Sequence, residues 1–383
     1  MKLRACLFWL HLAAGITAGV VIMSMSVSGI LIAYERQILD WVERDSRTVK
    51  VPDDTTKLGI GQLLEKLQQS NPGVDPANVT LYSEPRLAVR VAAGRDGLFF
   101  LDPYTGGITV ERDRFARDFL RLMTEWHRWL GQEGKGKEVG KAITGAAGLC
   151  FLFLLVSGIF LWIPRVWSLR SFKAAGILDP RLKGKARDWN WHNVWGIWAA
   201  PVLLVLTLTG IIISYAWAGD LLYRLTGNEP PPRGRIEPAG TARKSTPPIN
   251  TEGLDGLVHM AHMQWPDWKS IQFRIPRSAQ EPLTLNLDAG DGTRPDRRAQ
   301  LVISRPEGKI TRWEPYAAWN SGRKLRSWVK TVHTGQAGGW PGQSVAVFGA
   351  FSAAVLVWTG FSLGFRRLAS FLRRQKAGPA PAR

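Results

Sequence analysis

Charged residues are missing from four long stretches of this chain: His11 to Tyr34, Ala142 to Pro164, Trp189 to Gly219 and Thr331 to Phe365. A hydrocarbon core about 30 Å thick is crossed by roughly 20 helical residues, so each stretch is long enough to span a bilayer. The expected fold class is therefore membrane α-helical, a four-helix transmembrane bundle. This excludes a soluble single-domain enzyme. A disordered basic chain is excluded as well, because 18 Trp and 39 Gly suit a packed or lipid-facing structure better than a solvated tail.

Charge is sorted by topology. Lys+Arg number 50 against 31 Asp+Glu, a net charge of +19. Much of the excess lies in three places: Lys2 and Arg4 before the first span, the run Arg165, Arg170, Lys173, Arg181, Lys183, Lys185 and Arg187 after the second, and Arg366, Arg367, Arg373, Arg374, Lys376 and Arg383 after the fourth. Lys and Arg near span ends mark the cytoplasmic side, so both termini are expected there. The first span ends at Tyr34-Glu35 with no small-residue cleavage site, as an uncleaved anchor does. The expected organisation is a first span at 7–35, an exterior module at 36–137, a second span at 138–164, a basic cytoplasmic loop at 165–188, a third span at 189–218, a second exterior module at 219–332, a fourth span at 333–366 and a basic tail at 367–383. The basic excess fits membrane lipid as a partner. No nucleic-acid motif accompanies it.

The order of span, exterior segment and span occurs twice, which suggests an internal duplication. Each span carries a hydroxyl–Gly–apolar triplet: Ser28-Gly29-Ile30, Ser157-Gly158-Ile159, Thr209-Gly210-Ile211 and Thr359-Gly360-Phe361. These read as sites of close helix packing. In the first exterior segment, Thr56–Gln69 has helical periodicity, followed by strand-like runs at Leu87–Val91, Leu98–Asp102 and Ile108–Val110. In the second, Gly253–Met263 is the helix candidate and Ile271–Ile275, Leu283–Leu287, Leu301–Ser304 and Ile310–Trp313 are the strand candidates. Two small α+β modules are expected, joined by a Pro-rich stretch from Glu229 to Pro248. Each module leads to the next span through an amphipathic stretch, Phe115–Leu130 and Trp319–Val332.

Six histidines occur, and four of them stand at span entrances: His11, His127, His192 and His333. Eighteen residues separate His11 from Gly29 and His192 from Gly210, about 27 Å of helix in each case. His11 and His192 thus share a depth on the cytoplasmic side, and His127 and His333 share the exterior side. Gly15, Gly196 and Gly131 each follow a histidine by about one turn and leave room for a flat macrocycle. Two imidazoles facing each other across a bundle suit haem iron. The expected axial ligand pairs are His11 with His192 and His127 with His333. Zinc is a weaker fit, since two imidazoles leave two of its usual four positions unfilled. No Cys-x-x-Cys-His run is present for covalent haem attachment, and Cys6 and Cys150 are too far apart in topology to pair. His259 and His262, beside Met260 and Met263, form an i, i+3 pair of open role.

With these residues in hand, the chain resembles the PepSY-associated transmembrane helix family. The resemblance is carried by His11 and its apolar run to Tyr34-Glu35, Trp126-His127-Arg128-Trp129-Leu130, Trp191-His192, His333 and the turn Asp102-Pro103-Tyr104-Thr105-Gly106-Gly107. It extends to bacterial inner-membrane ferric-siderophore reductases of the ferrioxamine type, similar in length and in the four-span, two-module layout. It implies two b-type haems and PepSY-like periplasmic modules. The activity expected is electron transfer across the membrane to a periplasmic hydroxamate-type ferric siderophore, releasing Fe(II). Arg128, Lys324, Arg326 and Lys330 are candidate partners of haem propionates, with lipid contact as the alternative. The electron donor would be a quinol or a cytoplasmic reductase, since no dinucleotide fingerprint is evident. The competing expectation is a non-redox binding or regulatory protein of the PepSY type. A permease is disfavoured by spans without acidic residues.

Overall fold

The computed structural model describes residues 2–53, 56–94, 97–111, 114–164, 168–232 and 249–376. Most of the Pro-rich stretch, from Arg233 to Pro248, lies outside the described residues, as do Arg165 and Arg383. Along the chain run α1 (Lys2–Ile32), α2 (Glu35–Val42), α3 (Arg44–Arg47), α4 (Ile60–Ser70), β1 (Asn78–Tyr82), β2 (Val89–Ala92), β3 (Leu98–Leu101), β4 (Ile108–Val110), α5 (Phe115–Trp129) and α6 (Gly136–Trp162). There follow α7 (Leu169–Gly176), α8 (Gly184–Ser214), α9 (Ala216–Leu225), α10 (Leu254–Gln264), β5 (Ser270–Arg274), β6 (Leu283–Asp288), β7 (Arg298–Ser304), β8 (Lys309–Pro315), α11 (Ser321–His333) and α12 (Gly339–Lys376). The element order helix, four strands, helix, long helix occurs in both halves. Two compact units result, one of Met1–Glu35, Asp118–Leu221 and Val329–Arg383, the other of Arg36–Arg117 and Leu222–Trp328.

The first unit is helical. Its four principal helices, α1, α6, α8 and α12, are long and apolar enough to cross a membrane. α1 packs on α6 and α12, and α8 packs on the same two. α1 and α8 therefore stand at opposite corners of a ring. Small residues bring the neighbours close: a Cβ on Gly19 of α1 would fall 2.6 Å from the Phe361 ring of α12, and one on Gly349 of α12 would fall 2.8 Å from Val202 of α8. The expected basic loop at 165–188 contains the helix α7 and the first turn of α8. The last carbonyls of α7 are capped from the spans. Asn190 Nδ2 donates to Ala174 and Ile177 O at 2.8 and 2.9 Å, Trp162 Nε1 to Ala175 O at 3.0 Å and Trp198 Nε1 to Gly176 O at 2.8 Å.

The second unit contains both expected helix-and-sheet modules and adds that their strands are continuous. Its strands form one antiparallel sheet of eight, in the order β4-β3-β2-β1-β5-β6-β7-β8. The halves meet where β1 pairs with β5, Asn78 opposite Arg274 through Tyr82 opposite Ser270. The reason is an edge: each four-stranded half would leave one side of its first strand unpaired, and joining them satisfies both rows of backbone groups. Helices α4 and α10 cover one face, with Leu63, Leu64 and Leu67 of α4 and Leu254, Leu257 and Ala261 of α10 buried on Val79, Val91, Phe273, Leu285 and Leu301 of the sheet. β7 alternates buried and half-buried positions throughout, as a strand with one core face does. Asp255 of α10 accepts the Ile60 amide at the start of α4, where a carboxylate is stabilised by the helix dipole.

Candidate functional site

The ends of α5 and α11 determine where two of the histidines go. α5 stops at Leu130-Gly131, both at positive φ (54° and 71°), with Leu130 N bonded to Trp126 O at 3.0 Å and Gly131 N to Glu125 O at 3.3 Å. α6 then lies against this end. Thr144 Oγ1 donates to Arg128 O at 3.0 Å, and Gly140 approaches the Trp129 carbonyl so closely that any Cβ there would collide with it. Gly131 thus serves the turn rather than an open space, since a Cβ on it would meet Trp126 at 3.0 Å. α11 ends in the same manner at Gly335 (φ 72°), which is in close contact with Gly342 of α12. Gly15 and Gly196 face Leu154 and Leu356 at ordinary contact distance, 3.8 and 3.5 Å for an added Cβ.

The four histidines come together as two pairs, in the combination expected from depth. The ring centres of His11 and His192 are 6.4 Å apart with planes at 84°, and those of His127 and His333 are 6.2 Å apart with planes at 60°. His11 and His192 reach across the ring from the opposite corners α1 and α8. Two imidazoles on opposite sides of one metal ion put their centres roughly 6 Å apart, since a metal–nitrogen bond is about 2.0 Å and the ring radius about 1.1 Å. Both pairs have that spacing.

Each imidazole rests in one hydroxyl–Gly step of a span. His11 Nδ1 lies 2.8 Å from Ser157 Oγ of α6, and His192 Nδ1 lies 2.9 Å from Thr359 Oγ1 of α12. His127 Nδ1 lies 2.8 Å from Met25 O and 3.4 Å from Ser28 Oγ of α1. His333 Nδ1 lies 3.0 Å from both Leu206 O and Thr209 Oγ1 of α8. The hydroxyls settle the tautomer. Each already donates to a carbonyl one turn back: Ser157 to Phe153 O and Ser28 to Ser24 O at 2.7 Å, Thr359 to Val355 O at 2.7 Å and Thr209 to Val205 O at 2.6 Å. A hydroxyl has one proton, so toward histidine it accepts. All four imidazoles therefore carry their proton on Nδ1, which leaves the Nε2 lone pair free to bind a metal.

The glycine after each hydroxyl gives the ring its place. A Cβ on Gly29 would stand 3.3 Å from His127 Cε1, on Gly158 3.4 Å from His11 Cε1, on Gly210 3.2 Å from His333 Cε1 and on Gly360 3.6 Å from His192 Cε1. The triplets expected to serve helix packing are the seats of the histidines. Their number was the signal: four triplets and four span-entrance histidines in one chain.

Comparison with family models decides the relationship, with a match across residues 8–367. The chain belongs to the PepSY-associated TM region family. Comparison with curated protein sequences finds no match. As a member of the PepSY-associated TM region family with four membrane-length helices, the chain is a membrane protein.

Other residues singled out in the sequence are placed as follows. Arg128 stacks on the Trp129 ring at 4.5 Å, Lys324 donates to Ala317 O at 2.9 Å, Arg326 is half-buried on α11 and Lys330 is exposed there. His259 and His262 are exposed on α10, their ring centres 6.4 Å apart. Trp268 Nε1 donates to His262 Nδ1 at 2.9 Å, so the neutral ring carries its proton on Nε2 and has no free lone pair for a metal. Two residues at the helical site were missed. Thr124, three residues before His127, has a buried hydroxyl without a hydrogen-bond partner among the described residues. Asp188, within the expected basic loop at 165–188, is buried on α8 one turn before His192.

Proposed function

We propose that this protein carries single electrons across the bacterial inner membrane on two b-type haems and delivers them to a ferric siderophore of the hydroxamate type. The observation that carries this reading is the pair of facing histidine pairs at 6.4 and 6.2 Å, every Nδ1 engaged by a span residue. Among the described residues no group of three or more His, Cys, Asp or Glu surrounds a metal position. Two facing imidazoles would supply two ligands to iron, and a porphyrin would supply the others. His11 with His192 and His127 with His333 would hold the haem irons. The partnerless Thr124 hydroxyl gives a bound group in the second pair a donor to satisfy.

A haem held by either pair would supply one-electron Fe(III)/Fe(II) chemistry. The chain's residues orient and insulate. Ser157, Thr359, Ser28, Thr209 and the carbonyls of Met25 and Leu206 keep each imidazole in its binding tautomer and raise its basicity. Eighteen residues of α1 separate His11 from Gly29, the seat of His127, so the pairs are about 27 Å apart along the helix. In the topology set by the basic segments, both termini are cytoplasmic, the sheet unit is periplasmic and the halves arose by duplication. Each electron leaves a quinol or a cytoplasmic reductase and ends on the ferric ion of the chelate. Hydroxamate oxygens hold hard Fe(III) better than Fe(II), so reduction loosens the complex.

The test is chelate reduction by the purified protein, with ferrozine trapping Fe(II) from ferrioxamine after dithionite reduction of the haems. Chelate-dependent reoxidation of the haem band with matching Fe(II) release is the expected result. A haem-free protein, or a reduced band indifferent to the chelate, defeats the reading and favours a non-redox binding role.

A further inference from the structure

Asp188 occupies a costly position. Its side chain is 3% exposed, and it is the buried carboxylate of the helical unit among the described residues. An ionisable group within a membrane-length helix is retained for a reason. Ser362 donates to its Oδ2 at 2.6 Å, Arg366 stands 3.4 Å from the same oxygen and Arg187 lies 2.9 Å from Oδ1. Ser362 lies three residues beyond Thr359, the seat of His192. α8 and α12 are thus joined by two successive rungs, His192 to Thr359 and Asp188 to Ser362. Asp188 is four residues from His192, about 6 Å of helix.

The matching place in the other half has no acid. Leu7 stands four residues before His11, and Arg4 donates to the Leu161 and Ile163 carbonyls at the end of α6. No buried carboxylate accompanies the His127–His333 pair among the described residues of the unit. The carboxylate is therefore a one-sided feature of a site otherwise built alike in both halves. The two arginines do not cancel it. Arg187 is 44% and Arg366 49% exposed, where solvent and salt screen their charge, whereas the carboxylate is out of water.

We propose that Asp188 sets the direction of electron flow by lowering the reduction potential at the His11–His192 site relative to the His127–His333 site. A buried negative charge favours the more positive, oxidised form of a neighbouring redox centre, so electrons pass readily from the first site to the second. Asp188 touches neither imidazole and acts through its field. The inference rests on the di-haem reading above.

The test is a potentiometric titration of the purified full-length protein, following the haem absorbance in wild type, Asp188→Asn and Asp188→Glu. Asparagine keeps the hydrogen bond from Ser362 without the charge. With both haems retained, the lower-potential component should rise by about tenfold in its reduction equilibrium constant, about 59 mV for one electron. The other component should not move, and Asp188→Glu should titrate as wild type. The same shift should appear in a His127→Ala background, which keeps the His11–His192 haem, and not in a His192→Ala background. An unshifted or equally shifted pair of midpoints in Asp188→Asn overturns the proposal, as does a shift in Asp188→Glu that matches it. Outright loss of a haem from Asp188→Asn makes the residue structural and also overturns it. A wild-type protein without haem is a separate outcome that removes the di-haem reading itself.

Discussion

At the scale of single residues, the histidine seats are the most exposed to test. A β-branched side chain at Gly210 would press on the His333 ring, since even a Cβ there stands 3.2 Å from Cε1. Gly210→Val should halve the haem content, measured as pyridine haemochrome per chain, whereas Gly256→Val on α10, with open space around its Cβ, should leave the content unchanged. The hydroxyls make a graded prediction. Ser157→Ala removes the acceptor of His11 Nδ1, while Ser28→Ala leaves His127 its 2.8 Å bond to Met25 O. Haem should dissociate faster from the Ser157→Ala protein, by about fivefold if the lost bond is worth about 1 kcal/mol; equal rates in the two variants would contradict the assigned seats. The histidines were legible in the sequence because an ionisable residue at the mouth of an apolar span has few ordinary reasons to be there. Their seats were not, because a hydroxyl–Gly step is also what closely packed membrane helices use. Asp188 was hidden by its neighbours: in a run of Arg and Lys an acid reads as part of a solvated loop, and burial by Ser362 and Arg366 comes from a segment more than 170 residues away.

At the scale of elements, the spans were legible because apolar length alone identifies them, and seven of the eight strands because residue alternation does; β1 (Asn78–Tyr82) was not expected. Strand partners were not legible. A period of two tells which face of Val79 or Phe273 is buried, and it does not tell which neighbour accepts the amide. The join of β1 to β5, which makes the two modules' strands one sheet, was therefore invisible. Phe273 sits in that seam, 1% exposed, beneath α4 and α10. Phe273→Ala should destabilise the sheet unit by about 3–5 kcal/mol, seen as earlier amide exchange across strands from both halves together. Exchange confined to the second half would contradict a single cooperative sheet. Glu314 of β8 ties the last strand to α11 through Arg323 at 2.6 Å, with Arg312 at 3.5 Å from its other oxygen. The Arg323 hydrogen bond holds its carboxyl below the usual value of 4.5. A depressed folded-state pKa contributes stability above the unfolded value and loses it as pH falls through the folded one. Wild type and Glu314→Gln should therefore differ in thermal midpoint at pH 7 and converge well below pH 4.5, with a gap of at most about 1 kcal/mol because both side chains are partly exposed.

At the scale of the molecule, the helical unit looks built to hold two alike sites with one asymmetry. α1 and α8 each supply one histidine and one seat, α6 and α12 each supply a seat, and α5 and α11 bring in the remaining histidines. No helix could be removed without opening one of the pairs. The same sharing predicts independence of the two sites: losing His333 should cost one haem and leave the other spectrum intact, since the His11–His192 pair draws on α1, α6, α8 and α12 alone. The central claim is that both pairs bind haem iron. Its most direct test is the absorbance spectrum of the purified protein, oxidised and dithionite-reduced, with haem counted per chain. The account predicts a low-spin b-type spectrum and two haems per chain. A protein colourless after expression with added haem precursor would contradict it.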